Sequence, residues 1–147
     1  LTLAKLNFYV DMSVWLFVGK QYYRLISTPD APAAKGPYNQ GMVYDGLVYV
    51  AGQLPLDPAT GLVVEGDFQA HAAQAIRNVE TVLKAGGSDL EHLLRVNVYM
   101  TDVSQFPLFN EVYERMMGRP FPARTARVVQ LGPYDVEVDA TGVVINE

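Results

Sequence analysis

The chain has 147 residues, half of them hydrophobic, and a formal net charge of −5 at pH 7. This length is typical of one domain with a sizeable core. Because the chain contains no cysteine, disulfides, thiolate nucleophiles and zinc–thiolate sites are excluded. The acidic balance and the lack of a basic run argue against a protein that binds nucleic acid through its phosphates. The two histidines are far apart in the sequence and share no metal-binding motif, so we expect no metal site.

Residues 1–25 are rich in aromatic and large aliphatic residues, and we interpret them as an appended segment ahead of a domain at residues 26–147. The longest apolar run, residues 14–19, is far shorter than the roughly 20 residues of a membrane-spanning helix. We therefore expect no membrane span. The segment needs a surface to cover, for which a partner subunit and a membrane interface are candidates. An artefact of expression is a third interpretation.

The first half of the chain favours strands and turns. A strand is predicted at residues 21–27, and a loop rich in proline follows at residues 28–38, where regular structure is disfavoured. Residues 41–44 and 47–51 flank Asp45-Gly46, a pair typical of a two-residue hairpin turn. A further turn at residues 57–61 precedes a short strand predicted at residues 62–64.

Two amphipathic helices are predicted in the second half. The first covers residues 67–85, with Asp67 as its N-cap and a left-handed C-cap at Gly86-Gly87. The second covers residues 105–117, with Ser104 as its cap. Its core stripe is Phe106, Phe109, Val112, Tyr113, Met116 and Met117, and its outer face pairs Glu111 with Arg115.

A strand with alternating polarity is predicted between these helices. Its apolar residues are Leu94, Val96, Val98 and Met100, and they alternate with Arg95, Asn97, Tyr99 and Thr101. We expect the apolar side chains to contact the helices.

The last region, residues 119–141, predicts two strands joined by a tight turn at residues 132–135. Arg124 opens the first strand and Glu137 opens the second, so the two side chains are expected on neighbouring backbones. Spacing alone favours a surface salt bridge or two solvated charges, because most surface charges have no specific role.

The order of elements indicates an α+β domain with a mixed sheet and two helices on one face. The opposite face would stay partly apolar and rich in tyrosine. One layer of helices cannot cover both faces, so self-association is expected.

Five separated motifs make the chain resemble the RidA (YjgF) family of reactive-intermediate deaminases over about residues 26–142. They are residues 26–40 (ISTPDAPAAKGPYNQ), residues 50–57 (VAGQLPLD), Asn78-Val79 with residues 83–87 (LKAGG), residues 110–113 (NEVY) and residues 122–124 (PAR). The resemblance implies a chorismate-mutase-like fold. It also implies a homotrimer around a central barrel-like core, with a cleft between each pair of subunits.

The activity implied by the resemblance is hydrolysis of enamines and imines of the 2-aminoacrylate, 2-iminobutanoate and 2-iminopropanoate type to 2-keto acids and ammonia. No cofactor is implied. The ligand is a small carboxylate, and nucleic acid and membrane partners are not expected. A cytoplasmic location is expected.

Site residues are implied position by position. Arg124 matches the anchor of the substrate carboxylate, and a guanidinium can bind a carboxylate through two parallel N–H donors. Glu137 matches the acid that positions or activates water. Tyr38 matches a loop tyrosine that closes over the site. Without the resemblance, Tyr38 could simply anchor its loop and Glu137 could pair with Arg127 or Lys35.

The remaining site residues implied by the resemblance bind the substrate. Asn110 matches a helix residue of the cleft, although it could equally be an outward-facing residue or a cap for a neighbouring loop. The backbone around Gly52 and Ala126 would supply further contacts.

The chain departs from the family pattern at three places. Ala51 replaces a common serine, Ala126 replaces a common cysteine, and the turn at residues 132–135 is unusual. Loss of one hydrogen-bond donor aimed at a transition state costs about 3 kcal/mol, so these changes bear on rate and substrate range. Two alternative functions follow. One is a non-catalytic trimer that binds keto acids, and the other is a deaminase of a longer amino-dienoate such as 2-aminomuconate.

Overall fold

Residues 15–18 and 21–145 are described by the computed structural model, in which seven strands form one mixed sheet. The spatial order is β1-β2-β3-β4-β7-β5-β6. All neighbouring strands are antiparallel except β5 and β6, which are parallel. The strands are β1 (Trp15–Val18), β2 (Gln21–Ile26), β3 (Gly41–Tyr44), β4 (Leu47–Gln53), β5 (Leu93–Met100), β6 (Ala123–Val128) and β7 (Val136–Val143). Of the segment at residues 1–25, residues 1–14 and 19–20 lie outside the described residues.

The predicted hairpin is confirmed between β3 and β4. Asp45 and Gly46 have φ values of 49° and 75°, the left-handed conformation that a two-residue hairpin turn requires. The predicted short strand at residues 62–64 is reduced to one bridge between Leu56 and Val63.

The first helix, α1, spans Phe68–Ala85, in agreement with the prediction. The Asp67 carboxylate accepts a hydrogen bond from the Ala70 backbone amide at 2.9 Å, which satisfies one of the free amides of the first turn. Gly87 has a φ of 84° and provides the left-handed residue after the helix end. Arg24 of β2 donates to the Ala85 and Gly86 carbonyls at 3.0 and 2.9 Å and so covers this end of the helix.

The second helix, α2, spans Gln105–Met116. The prediction that Ser104 caps it is wrong, because Ser104 has helical φ and ψ and its side chain makes no capping bond. The Gln105 side chain instead accepts from the amides of Thr101 and Asp102. The predicted Glu111–Arg115 pair is also wrong, since Glu111 accepts from Gln69 of α1 at 2.8 Å.

One prediction for β5 is wrong. Leu94 faces the side of the sheet opposite to the one that the alternation of apolar and polar residues predicted. Leu94 is 51% exposed, and Leu93 is buried in its place. The register between β5 and β7 shifts between Leu93 and Arg95. Such an extra residue reverses the alternation of side chains on one side of the bulge. From Val96 onward the alternation is as predicted.

The expectation that the strands of Arg124 and Glu137 are neighbours is wrong, because β5 lies between β6 and β7. Helix α2 connects β5 to β6, and a helical connection normally leads to a parallel neighbour. Strand β6 therefore occupies one side of β5 and becomes an edge of the sheet. Strand β7 occupies the other side of β5, where it also pairs with β4.

Both helices pack on one face of the sheet, as predicted. Fully buried residues of both helices and of the central strands form one core, including Ile76, Val79, Val82, Phe109, Val112, Val48, Val96, Val98, Val136 and Val138. The opposite face, which we call the open face, carries a stacked pair, Tyr23 and Tyr44, at 4.9 Å and the 44% exposed Tyr49. What covers the open face stays a prediction.

Candidate functional site

Arg124 lies on the edge strand β6, on the same face as the helices. Its register partner Val96 is fully buried in the core, so the Arg124 side chain extends toward α2. The guanidinium carbon lies 4.7 Å from the ring centroid of Tyr113 and 5.9 Å from that of Phe109. No carboxylate lies within ion-pair distance of Arg124 in the described part of the chain. The guanidinium is thus held by aromatic rings, and its donors are left for another partner.

A surface cavity of about 370 Å³ opens beside this guanidinium. Its lining residues come from α2, from the segment after it and from β6, and they are Asn110, Tyr113, Glu114, Phe121, Pro122 and Arg124. Asn110 is exposed, and its side chain makes no hydrogen bond within the described residues. Two residues predicted from the sequence, Arg124 and Asn110, therefore meet in one cavity, which suits an anion with a small apolar part.

Glu137 lies outside this cavity, on the open face of the sheet. Its neighbours in β7, Val136 and Val138, are fully buried under the helices, so Glu137 points the other way. The Glu137 carboxylate lies against the backbone of Gly52. A Cβ built on Gly52 would overlap a carboxylate oxygen and would lie 2.8 Å from the carboxylate carbon. Gly52 lies where the pairing of β4 with β7 is irregular, and the missing side chain leaves room for the acid.

Burial raises the pKa of Glu137, and the nearby Asp139 carboxylate raises that pKa further. Asp139 accepts hydrogen bonds from the Asn97 amide at 2.7 Å and from the Tyr99 hydroxyl at 3.1 Å. Glu137 itself forms no ion pair among the residues that the structure describes. A pairing with Arg127 or Lys35 is therefore absent there. A carboxylate with a raised pKa is a better proton acceptor for water than an ordinary one.

Arg124 and Glu137 do not meet within one chain. Val96 of β5 pairs with Arg124, and Tyr99 pairs with both Arg127 and Glu137. Arg124 and Glu137 are therefore offset by three positions along the strands and by two strand spacings across the sheet. These offsets put their Cα atoms roughly 14 Å apart. The two side chains also leave the sheet on opposite faces. The cavity that Arg124 lines does not include Glu137.

Tyr38 lies in a third place, in the loop between β2 and β3. It is 51% exposed, and its hydroxyl accepts a hydrogen bond from the Lys35 amide at 3.2 Å. The loop encloses a second cavity of about 380 Å³ that Tyr38 helps to line. Gln40 holds the loop by accepting from the Thr28 amide at 2.7 Å and donating to the Thr28, Ala31 and Pro32 carbonyls.

The two alanines that depart from the family pattern lie in different surroundings. Ala126 follows Arg124 by two residues on the same face of β6 and packs against the core. Ala51 directly precedes Gly52, and its amide donates to the Gln40 carbonyl at 2.9 Å. Ala51 therefore stands directly before the glycine against which the Glu137 carboxylate lies.

The comparisons with known proteins agree with the motifs. Residues 28–144 match the family model described as Endoribonuclease L-PSP. A goat relative called 2-iminobutanoate/2-iminopropanoate deaminase is 40% identical over 122 residues, covering 82% of this chain and 89% of the relative. The chain belongs to the RidA family. The human relative, which has the same name, is 36% identical over 123 residues, covering 84% of this chain and 90% of the relative.

The fold of this RidA-family chain is similar to that of solved members. The crystal structure of RidA from an Antarctic Psychrobacter has a TM-score of 0.77 at 37% identity, covering 80% of this chain and 97% of that one. The predicted α+β fold and family are thereby confirmed. Among the described residues, no helix is long and apolar enough to cross a membrane. No group of three or more His, Cys, Asp or Glu there could hold a metal ion.

Sequence reasoning missed part of this RidA-family site. Tyr113 was assigned only to the core stripe of α2, although its ring also lies under Arg124. The four-residue spacing of Phe109 and Tyr113 beside Asn110 was the available signal, since residues so spaced share a helix face. Asp139 was not singled out as a site residue, although residues two apart on a strand share one face, so its place beside Glu137 had a local signal.

Proposed function

We propose that this chain is a hydrolytic deaminase of small imines derived from 2-amino acids, of the 2-iminobutanoate/2-iminopropanoate type. The observation that carries the proposal is that the Arg124 guanidinium lines a small cavity and has no carboxylate partner among the described residues. A guanidinium fits a carboxylate through two parallel N–H bonds, and every such imine carries one carboxylate. The names of the goat and human relatives support the same substrate class.

The chemistry needs a water molecule and a group that moves protons. Water adds to the imine carbon, and the Glu137 carboxylate takes the proton that the water loses. The same acid gives that proton to the imine nitrogen, which yields a neutral amino alcohol. Glu137 then takes the hydroxyl proton of the amino alcohol and passes it to the nitrogen, so that the carbonyl forms and ammonia leaves. The carbon–nitrogen bond breaks and a 2-keto acid is released. Atoms and protons balance with side chains and water alone.

The complete site is a cleft between two chains of a homotrimer in this proposal. Arg124 and Glu137 lie on opposite faces of the sheet in one chain, so one substrate can touch both only if they come from different copies. A cyclic trimer repeats the same interface three times and so creates three equivalent clefts. Tyr38 and Asn110 would line the same clefts, and the backbones of Gly52 and Ala126 would contact the substrate.

The test is a coupled reaction in which a pyridoxal-phosphate dehydratase generates 2-iminobutanoate from threonine. Keto-acid release is followed with the wild type, with Arg124→Ala and with buffer, because these imines also hydrolyse spontaneously. We expect the wild type to accelerate release and Arg124→Ala to lose roughly a hundredfold or more in kcat/KM, since two charge-assisted hydrogen bonds are removed.

Arg115→Ala is the matched control, because Arg115 is an exposed arginine of α2 outside the cavity. It should retain full activity. Equal acceleration by the wild type and by Arg124→Ala would exclude Arg124 as the anchor.

A non-catalytic trimer that binds keto acids is the second candidate, and Ala51 is the observation that favours it. The residue lacks a hydroxyl directly before Gly52, against which Glu137 lies. Tight calorimetric binding of 2-oxobutanoate without any acceleration of imine hydrolysis would select this function. Turnover only of longer imines would instead indicate a deaminase of an amino-dienoate.

A further inference from the structure

Two arginines at this edge of the sheet lie over aromatic rings, but only one also has a carboxylate partner. The Arg119 guanidinium lies 4.3 Å from the Phe121 centroid and donates to Glu114 at 3.1 Å. The Arg124 guanidinium lies 4.7 Å from the Tyr113 centroid, with no carboxylate in reach among the described residues. The charge of Arg119 is therefore balanced within the chain, whereas the charge of Arg124 is not.

The rings beneath Arg124 form a rigid support, which we call the aromatic shelf: Phe109 and Tyr113. The Tyr113 centroid lies 5.6 Å from that of Phe109 and 6.1 Å from that of Phe121. Phe109 and Tyr113 are almost completely buried, and they are four positions apart on α2. Because the shelf is part of the core, the guanidinium above it rests on a surface that cannot move freely.

An aromatic ring face and a carboxylate hold a guanidinium in different ways. A carboxylate would orient Arg124 by occupying the same N–H donors that a substrate carboxylate needs. An aromatic face attracts the cation through its quadrupole and occupies none of those donors. The shelf can thus fix the plane of the guanidinium while all five N–H groups stay available.

The Tyr113 hydroxyl is not what keeps its ring in place. The oxygen is buried and has no hydrogen-bond partner in the described part of the chain. A buried hydroxyl without a partner lowers stability, so the ring is held by packing alone. The ring and the hydroxyl can therefore be tested separately.

We propose that the aromatic ring of Tyr113 is a positioning group, which orients Arg124 for the substrate carboxylate without competing for its donors. The inference rests on the proposed function for the identity of the substrate, but it concerns binding of any small 2-keto carboxylate. Its second consequence concerns specificity. The exposed Phe121 and the half-buried Pro122 form an apolar wall of the same cavity, so the site suits carboxylates with a short apolar side chain.

The experiment compares Tyr113→Phe with Tyr113→Leu in the full-length protein. Binding of 2-oxobutanoate is measured by calorimetry, and KM and kcat are measured with 2-iminobutanoate. We expect Tyr113→Phe to bind like the wild type, with equal or higher thermal stability. Tyr113→Leu should bind 2-oxobutanoate roughly three- to thirtyfold more weakly. With 2-iminobutanoate as the substrate, its KM should rise while its kcat changes little.

Val79→Ala controls for the destabilisation that Tyr113→Leu causes, because Val79 is fully buried in α1 and does not line the cavity. It should lose stability and keep wild-type binding. If Tyr113→Leu binds like the wild type, or if Tyr113→Phe loses as much binding as Tyr113→Leu, the ring is not the positioning group.

The proposed function can fail independently of this inference. A wild type that hydrolyses imines while Tyr113→Leu is unaffected overturns only the role of the ring. A wild type that binds 2-oxobutanoate in a ring-dependent way without hydrolysing imines overturns only the deaminase. A wild type that does neither overturns both.

Discussion

Glu137 keeps its place because residue 52 has no side chain. A Cβ there would overlap the carboxylate, although no left-handed φ requires a glycine at this position. The glycine therefore serves a close approach between a backbone and an acid. The Glu137 carboxylate is half-buried, and a second carboxylate, Asp139, lies beside it. Such an arrangement disfavours the charged form of the acid.

The raised pKa of Glu137 predicts the pH dependence of the reaction. In its proposed role as general base Glu137 must be ionised, so kcat/KM should fall on the acid side at a pH above the ordinary range of a glutamate. Asp139→Asn removes a neighbouring negative charge and should lower the pKa of Glu137. The acid limb should then move to lower pH in a profile of kcat/KM against pH.

Asp45→Asn is the control for this shift, because Asp45 is exposed in the hairpin turn, where asparagine also tolerates positive φ. Its profile should match that of the wild type. An acid limb that stays in place in Asp139→Asn would mean that Glu137 does not control the proton transfer.

At the scale of elements, hydrogen bonds from the Asn78 side chain connect α1 to residues 54–56, the segment that follows β4. The Asn78 side chain is almost completely buried and donates to the Leu54 and Leu56 carbonyls at 3.0 and 2.9 Å. It also accepts from Gln74 at 2.9 Å. Since residues 54–56 begin two positions after Gly52, this contact supports the segment against which Glu137 lies.

Asn78→Ala should lower the free energy of unfolding by about 2 kcal/mol, because buried carbonyls lose their donor. Urea unfolding at one fixed protein concentration measures the change, since an oligomer unfolds in a concentration-dependent way. Arg77→Ala is the neighbouring control, because its exposed side chain bonds to Gln74 and to no other side chain among the described residues. It should change stability by no more than about 0.5 kcal/mol. Equal midpoints for the two variants would contradict the role of Asn78.

At the scale of the whole molecule, the sheet separates the two groups that the proposed reaction needs. Arg124 points toward the helices, and Glu137 points to the open face, which carries Tyr44 and Tyr49. A sheet with one uncovered and partly apolar face suits self-association. Assembly would therefore have two effects, covering the open face and completing the site.

Mixed trimers test whether each site uses two chains. Arg124→Ala and Glu137→Gln should each be inactive alone and each assemble to about 49 kDa, three times the 16.2 kDa chain. When equal amounts are unfolded together and refolded, some clefts receive an intact arginine from one chain and an intact glutamate from another. Random assembly of a cyclic trimer predicts about a quarter of the wild-type activity.

Separately refolded variants that are mixed afterwards serve as the control and should stay inactive if subunits do not exchange. If the co-refolded mixtures recover no activity, the Arg124 and Glu137 of one site lie on the same chain. A mass of one chain for the wild type would exclude the shared cleft altogether.

Local patterns predicted the elements that depend on nearby residues. The bounds of α1, its Asp67 cap and the hairpin turn at Asp45-Gly46 agree with the structure, because each depends on a few adjacent residues. The cap at Ser104 and the inward position of Leu94 were wrong. In both places the outcome depends on backbone geometry, a helical Ser104 and a register shift in β5, that the side-chain pattern does not contain.

By itself the sequence determined the family, the α+β class and an arginine suited to a carboxylate, because motifs and periodicity are properties of the linear chain. Only the tertiary structure decided that β5 lies between the strands of Arg124 and Glu137. It also decided that Tyr113 supports Arg124 and that Glu137 lies against Gly52. These relations join residues far apart in sequence, and they follow from the crossover through α2, which sets the order of the strands.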